Sequence, residues 1–330
     1  MDFHALVTEK DAQGVVSSTV RMLSNTDLPE GEVAVDVEWA GLNYKDGLCL
    51  TGKGGLVRAY PHVAGIDFAG TVRESSDERY RRGDKVILTG WRVGEMHWGG
   101  YAERARVKAD WLVPLPAGAT TRWAMVLGTA GLTAMFAVSR LEAGGARPAG
   151  EPVLVTGAAG GVGSIAVGLL ARLGYKVTAL SGRPEHAGLL KARGAHEVVE
   201  RGQFLSEPEK PLESARWAGA VDCVGGAVLG KLLRQVHYGG TVAALGNAAG
   251  IELNTNVLPF ILRGVTLAGI ESVMQPYAVR VGAWTRLAGL FDAEDYEALV
   301  EEIGLADVPA SAKDVLAGRV LGRRIVRIGA

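Results

Sequence analysis

The stretch Pro152 to Arg183, reading PVLVTGAAGGVGSIAVGLLARLGYKVTALSGR, decides the fold. It opens on the β-branched run Val153 to Thr156, turns through Gly157, Gly160, Gly161 and Gly163, and continues as an apolar helix pattern. A second apolar run, Lys176 to Leu180, closes a βαβ unit of about 30 residues, the size such units need. In the frame G-x-G-x-x-G, Ala158 stands first, Gly160 second and Gly163 third. Gly160 lets a pyrophosphate approach the main chain, and Gly163 lets the helix sit close on the strand. The helix N-terminus adds free N–H groups and the positive end of a dipole. Thr156, Ala158, Ala159, Gly160, Gly161, Val162 and Gly163 are therefore the candidate dinucleotide-binding turn.

Upstream, residues 1–122 carry short alternating or apolar segments separated by turn residues, among them His4 to Thr8, Glu32 to Ala40, Lys85 to Leu88 and Tyr101 to Val107. They predict an antiparallel, barrel-like β domain. Downstream, strand patterns at Ala220 to Val224, Gly240 to Leu245 and Val265 to Ile270 alternate with helical ones, which predicts a doubly wound parallel sheet over 123–270. Residues 271–330 hold helix patterns at Tyr277 to Leu290 and Asp295 to Ile303 and a basic strand, Arg323 to Ile328. The sheet being complete by then, this tail is expected to return to the first domain. The fold class is α/β plus β.

With 330 residues, two domains are the natural expectation. A net charge of −1 with 22% charged residues gives no reason to expect nucleic acid or an anionic membrane as partner. Cys49 and Cys223 are too few for a disulfide framework or a four-thiolate metal site, which points to a reducing cytoplasm. The uncharged run Pro152 to Ala171 reads as a strand followed at once by a helix, not as a membrane span, and the chain reads as soluble.

The motifs Asn43 to Asp46, Gly65 to Gly70, His97 to Ala102, Gly128 to Ala134, Thr156 to Gly163 and Ser181 to Arg183 together resemble the medium-chain dehydrogenase/reductase superfamily. Within it the chain is similar to the zinc-independent quinone oxidoreductase group that includes acryloyl-CoA reductases. The resemblance implies a GroES-like barrel, a Rossmann domain, a cleft between them and usually a homodimer. It also carries over Thr129, Asn247, Ile261 and Ser272 as cofactor contacts, the plain alternatives being loop polar residues and a core isoleucine.

An NAD site wants a carboxylate for the ribose 2′-hydroxyl about 20 residues past the glycine turn. Here Ser181, Gly182 and Arg183 stand there, and a hydroxyl and a planar guanidinium suit a 2′-phosphate. The expected cofactor is NADPH. Zinc-dependent members of the resembled superfamily carry a Gly-His-Glu motif and a catalytic cysteine; this chain has Gly65-Ile66-Asp67 and Asn43-Tyr44, so no metal is expected.

The resulting expectation is reduction of the C=C bond of an α,β-unsaturated carbonyl compound. Hydride goes to the β carbon and a proton to the enolate, with acryloyl-CoA as leading substrate. Tyr44 donates a proton or packs on the nicotinamide, Asn43 bonds a carbonyl or amide, and Asp46 orients them or caps a helix. Arg323 and Arg324, like Lys53 and Arg58, are candidates for the phosphates of a CoA thioester, against the plain reading of solvated charges. An NADPH-dependent quinone or enone oxidoreductase is the alternative, and an NADPH-binding protein with little turnover the second.

Overall fold

The computed structural model describes residues 2–328. The first half runs β1 (Asp2–Lys10), β2 (Val16–Ser24), β3 (Val33–Leu42), α1 (Tyr44–Thr51), β4 (His62–Val63), β5 (Asp67–Ser75), β6 (Lys85–Thr89), β7 (Arg104–Val107), β8 (Leu112–Pro114) and α2 (Thr121–Ala143). There follow β9 (Val153–Thr156), α3 (Gly161–Arg172), β10 (Val177–Ser181), α4 (Ala187–Ala192), β11 (Glu197–Glu200), α5 (Arg201–Ser206), β12 (Trp217–Asp222), α6 (Gly226–Leu233), β13 (Val236–Ala244), α7 (Leu258–Arg263) and β14 (Thr266–Gly269). The tail adds α8 (Tyr277–Leu290), β15 (Val300–Gly304), α9 (Val308–Leu316) and β16 (Arg323–Arg327). Two compact units result: one holds the chain to Thr129, Ser272–Ala288 and the part from Asp292 on, the other Ala130–Glu271 and Gly289–Phe291.

The first unit is built on β3, in which Val33, Val35 and Val37 alternate into the core. This strand pairs antiparallel with β5, β7 and β16, so the last strand of the chain lies against one of the first. In the second unit the strand order is β11-β10-β9-β12-β13-β14 with every pair parallel. Counted from β9, that is the doubly wound order whose direction reverses beside its first strand. The strand ending in the glycine turn lies at that switch point.

Asp295 to Ile303 is not one α-helix: only its first part is helical, and that part is 3-10. A 3-10 turn, Glu294–Leu299, leads into β15, which pairs in parallel with β16. Arg324 donates to Glu301 (2.6 Å) and Arg327 to Glu302 (2.9 Å) across the pair. These partners, remote in sequence, outweigh the local helical pattern. Among the described residues one helix, α2, is long and apolar enough to cross a membrane, and it is mostly buried in protein.

Arg280, 1% exposed on α8, secures the returning chain within the first unit. Its guanidinium donates to the carbonyls of Thr89, Ser272, Val273 and Gln275 and to the Thr89 hydroxyl, at 2.6–2.9 Å. It also lies 5.0 Å from the Trp91 ring, beneath a turn in which Trp91 and Arg92 hold φ of 57° and 58°. Arg280→Ala is expected to lower the unfolding free energy by roughly 3 kcal/mol or more, because the hydrogen bonds of a buried guanidinium and its contact with the Trp91 ring are lost together. A urea unfolding curve within about 1 kcal/mol of wild type would refute that account.

Candidate active site

In the second unit the glycine turn is a cradle of main chain. Gly157 takes φ +60°, and a methyl group added at Gly163 would sit 2.3 Å from the Gly157 carbonyl oxygen. Only hydrogen fits there. The first bond of the turn into α3 is Ser164 N–H to the Gly160 carbonyl (3.0 Å), so the N–H groups of Gly161, Val162 and Gly163 precede it and remain for an anion. Ala158 and Ala159 are buried beneath the turn. These residues fit a dinucleotide pyrophosphate.

Thr156 ends β9 and donates its hydroxyl proton to Asp222 Oδ1 (2.7 Å), while its oxygen accepts from Cys223 N–H (3.0 Å). Asp222 also accepts from Gly225 N–H (2.9 Å), and burial pushes its carboxyl up. Thr156 thus ties two neighbouring strand ends together. At the end of β10, the Ser181 hydroxyl accepts from Arg183 N–H (3.1 Å), and Arg183 Nη2 donates to the Ala159 carbonyl (2.9 Å). The structure brings Arg183 onto the glycine turn. Asn247 is exposed beyond β13, and Ile261, 68% exposed on α7, is no core residue.

In the first unit a buried polar cluster surrounds Asn43. Asn43 caps α1: Asp46 Oδ2 accepts its main-chain N–H (2.9 Å) and its Nδ2 (3.2 Å), and Asp46 Oδ1 accepts Ile66 N–H (2.8 Å). The same Nδ2 donates to Asp67 Oδ1 (3.0 Å), which also accepts Gly41 N–H (3.0 Å). Asp67 Oδ2 accepts Thr129 N–H (2.6 Å), just past Gly128, where α2 breaks with φ 51°. A methyl group at Gly128 would meet Asp67 Oδ2 at 2.6 Å and Arg323 Nη2 at 2.8 Å, so the cluster needs glycine there. Asn43 Oδ1 accepts from Arg323 Nη1 (2.9 Å).

Both hydrogens of the Asn43 amide therefore go to carboxylates and its oxygen to a guanidinium. Asn43 and Asp46 orient their neighbours, and the Asn43 amide has no donor left for a substrate carbonyl. Tyr44, first residue of α1 and 50% exposed, is the group of that motif that faces solvent. Burial, and next the charge of Asp67, push the Asp46 carboxyl up to about 7.

Arg323 does not reach out to a CoA phosphate. It is 3% exposed and donates to Asn43 and to the carbonyls of Leu42, Met125 and Val126. Arg324 is held by Glu301 and Asp314 (3.0 Å). The Ser272 carbonyl belongs to the Arg280 clamp. His62 Nε2 lies 2.9 Å from the Gly94 carbonyl and His97 Nε2 2.8 Å from that of Arg106, and burial lowers both imidazoles. Among the described residues no group of three or more His, Cys, Asp or Glu side chains is clustered to hold a metal ion. Asp67 and Asp222 were not singled out as site residues from sequence; the usable signal was a lone acid ending or beginning an apolar strand.

Residues 29–117 match the alcohol dehydrogenase GroES-like domain family and residues 161–287 the zinc-binding dehydrogenase family. The chain is 56% identical to the acrylyl-CoA reductase AcuI of Ruegeria pomeroyi, over 99% of this chain and all of that one. It is 46% identical to the putative quinone oxidoreductase YhfP of Bacillus subtilis, over 99% of each. The YhdH oxidoreductase of Salmonella enterica, solved in complex with NADP, superposes with a TM-score of 0.95 at 51% identity over 100% of both chains. The chain belongs to the medium-chain dehydrogenase/reductase superfamily, in the quinone oxidoreductase group and its acrylyl-CoA reductase-like subfamily.

The buried cluster makes stability depend on pH. Between 3.8, the ordinary carboxylate value, and about 7, folded Asp46 holds a proton that the unfolded chain has released. Its contribution is greatest at the acid end of that window, falls as pH rises through it and levels off above. Asp46→Asn is expected to flatten this slope in urea unfolding free energies measured from about pH 5 to 8. Equal slopes in both proteins would mean that Asp46 titrates as an ordinary carboxylate.

Proposed function

We propose that the chain is an NADPH-dependent reductase of α,β-unsaturated carbonyl compounds, converting acryloyl-CoA to propionyl-CoA. The observation that carries this reading is full-length identity of 56% with a protein named acrylyl-CoA reductase. Two placements support it: Arg183 on the glycine turn, suited to a 2′-phosphate, and Tyr44 presented at the head of α1. NADPH, when bound, supplies a hydride for the substrate carbon β to the carbonyl. The N–H groups of Gly161, Val162 and Gly163 would hold its pyrophosphate, with Ala158, Ala159 and Gly160 shaping the turn and Ser181, Gly182 and Arg183 the adenosine end. Thr129, Asn247, Ile261 and Ser272 stay candidates for the remaining contacts.

In the first unit the Tyr44 hydroxyl donates a hydrogen bond to the substrate's carbonyl oxygen as negative charge gathers there, or a proton to the enolate carbon. Asn43 and Asp46 hold the first turn of α1 so that Tyr44 keeps its place. The 46% identity with a putative quinone oxidoreductase favours a second reading, the same hydride transfer to a quinone or enone. The two free cysteines, one of them buried, suit a reducing cytoplasm.

NADPH oxidation followed at 340 nm against acryloyl-CoA, crotonyl-CoA, acrolein and small quinones separates the readings. We expect turnover to be highest with acryloyl-CoA and Tyr44→Phe to lower kcat by about 10² or more. Fastest turnover with a quinone would select the second reading, and none with any acceptor would leave an NADPH-binding protein. An unchanged Tyr44→Phe rate would move the donor role to water.

The chain is further proposed to act as a homodimer joined through its second unit. Among the described residues the outer strand β14 has one ladder edge without a strand partner, and Tyr238, Ile251, Val257, Ile261 and Leu262 of that unit are exposed. Sedimentation velocity should give twice the chain mass, and Leu262→Asp should shift it toward the monomer. A monomeric wild type at micromolar concentration overturns the assembly.

A further inference from the structure

Resting on the acryloyl-CoA reading, we propose that Arg92 is the cation that receives a phosphate group of the substrate's CoA portion, with Met96 beside it flanking the pantetheine arm. The first argument is strain. In the turn after β6, Trp91 and Arg92 hold φ of 57° and 58°, consecutive left-handed residues of types that rarely adopt that conformation. Such residues persist only where their surroundings over-determine them, and they gather at ligand clamps.

The surroundings do so here. A methyl group at Gly90 would lie 2.5 Å from the Val273 carbonyl oxygen and 2.6 Å from Arg280 Nη2, and one at Gly94 would lie 2.8 Å from the Gly65 carbonyl carbon. Trp91 N–H donates to the same Val273 carbonyl (2.8 Å), and Val93 is buried in the core. The turn is pinned on both sides of Arg92. Its twist sends that side chain and Met96, 56% exposed, out to solvent.

The second argument is that nothing in the protein uses this charge. Arg92 Nη1 lies 3.3 Å from Met96 Sδ, a weak acceptor, and among the described residues the guanidinium has no carboxylate or carbonyl partner. The one carboxylate of the turn, Glu95, is 7% exposed and takes Lys45 Nζ instead (3.0 Å). That leaves a planar fork for phosphate oxygens and a polarizable thioether for an apolar arm.

The third argument is place. Lys45 follows Tyr44 in the first turn of α1, so the Lys45–Glu95 pair joins that turn to the one carrying Arg92. Phenol and guanidinium are thus offered by adjoining segments of one unit. A CoA thioester makes these two demands, with its carbonyl at one end and its phosphates at the other end of a flexible arm that can bridge neighbouring segments. A cation on a fixed turn also loses less freedom on binding than Lys53, whose segment turns through Gly52, Gly54 and Gly55.

The test compares acryloyl-CoA with acryloyl-pantetheine, which keeps the thioester and the arm but lacks every phosphate, at saturating NADPH. Wild type should show a KM for acryloyl-CoA at least about tenfold below that for acryloyl-pantetheine. Arg92→Ala should raise the KM for acryloyl-CoA about tenfold and move that for acryloyl-pantetheine by less than about twofold, with Arg92→Lys in between. An unchanged KM for acryloyl-CoA in Arg92→Ala overturns the role of Arg92, and a loss in Lys53→Ala would then put the phosphate on that segment. Equal increases for both substrates assign Arg92 to holding the turn and overturn its role as well. A wild type that reduces both thioesters with equal KM overturns phosphate recognition and leaves the reductase standing; one that reduces neither overturns the acryloyl-CoA reading itself.

Discussion

A guanidinium shut away from water must find acceptors, and Arg323 finds them on three elements at once. It reaches the end of β3 at Leu42, the cap of α1 at Asn43 and the carbonyls of Met125 and Val126 in α2. Burying such a charge alone would cost several kcal/mol. The Asn43 amide lowers that cost by linking it to Asp46 and Asp67, so that the charges of opposite sign share one hydrogen-bonded cluster. Because Asp67 also holds Gly41 and Thr129 by their N–H groups, the strand, the cap and the break in α2 are fixed together. The exposed position of Tyr44 follows from that arrangement.

The cluster was barely legible in the chain. Arg323 stands in a run with Arg319 and Arg324, and such a run reads as solvated charge or as a phosphate patch. Whether an arginine is buried depends on which strand its own strand pairs with, and β16 pairs with β3, almost the whole chain away. Asp67 was visible only as a departure from a zinc-type motif. Its bonds to residues 41, 43 and 129 are tertiary facts.

The nucleotide-binding half was legible because its signals are local. A β-branched strand, a glycine turn and an apolar helix follow one another without interruption, and Ser181 and Arg183 fall at the spacing the cofactor's adenosine end requires. Tyr277 to Leu290 was read to its ends for the same reason. The segment Asp295 to Ile303 failed where locality failed: from Val300 on it is a strand, through its pairing with β16.

The glycine turn also shows why a fingerprint is better read by contacts than by letters. Ala158 occupies the place where the frame asks for a turn glycine. It is nonetheless buried and donates its N–H to the Leu180 carbonyl (3.2 Å), as an ordinary strand-end residue does. The left-handed conformation has moved one residue upstream to Gly157, whose φ of +60° turns the chain. The carbonyl of that same residue is what a side chain at Gly163 would strike, so the two glycines form one close contact between strand and helix. The departure at Ala158 therefore leaves the main-chain cradle whole, since the required freedom of the backbone and the required closeness of the helix are both met at Gly157.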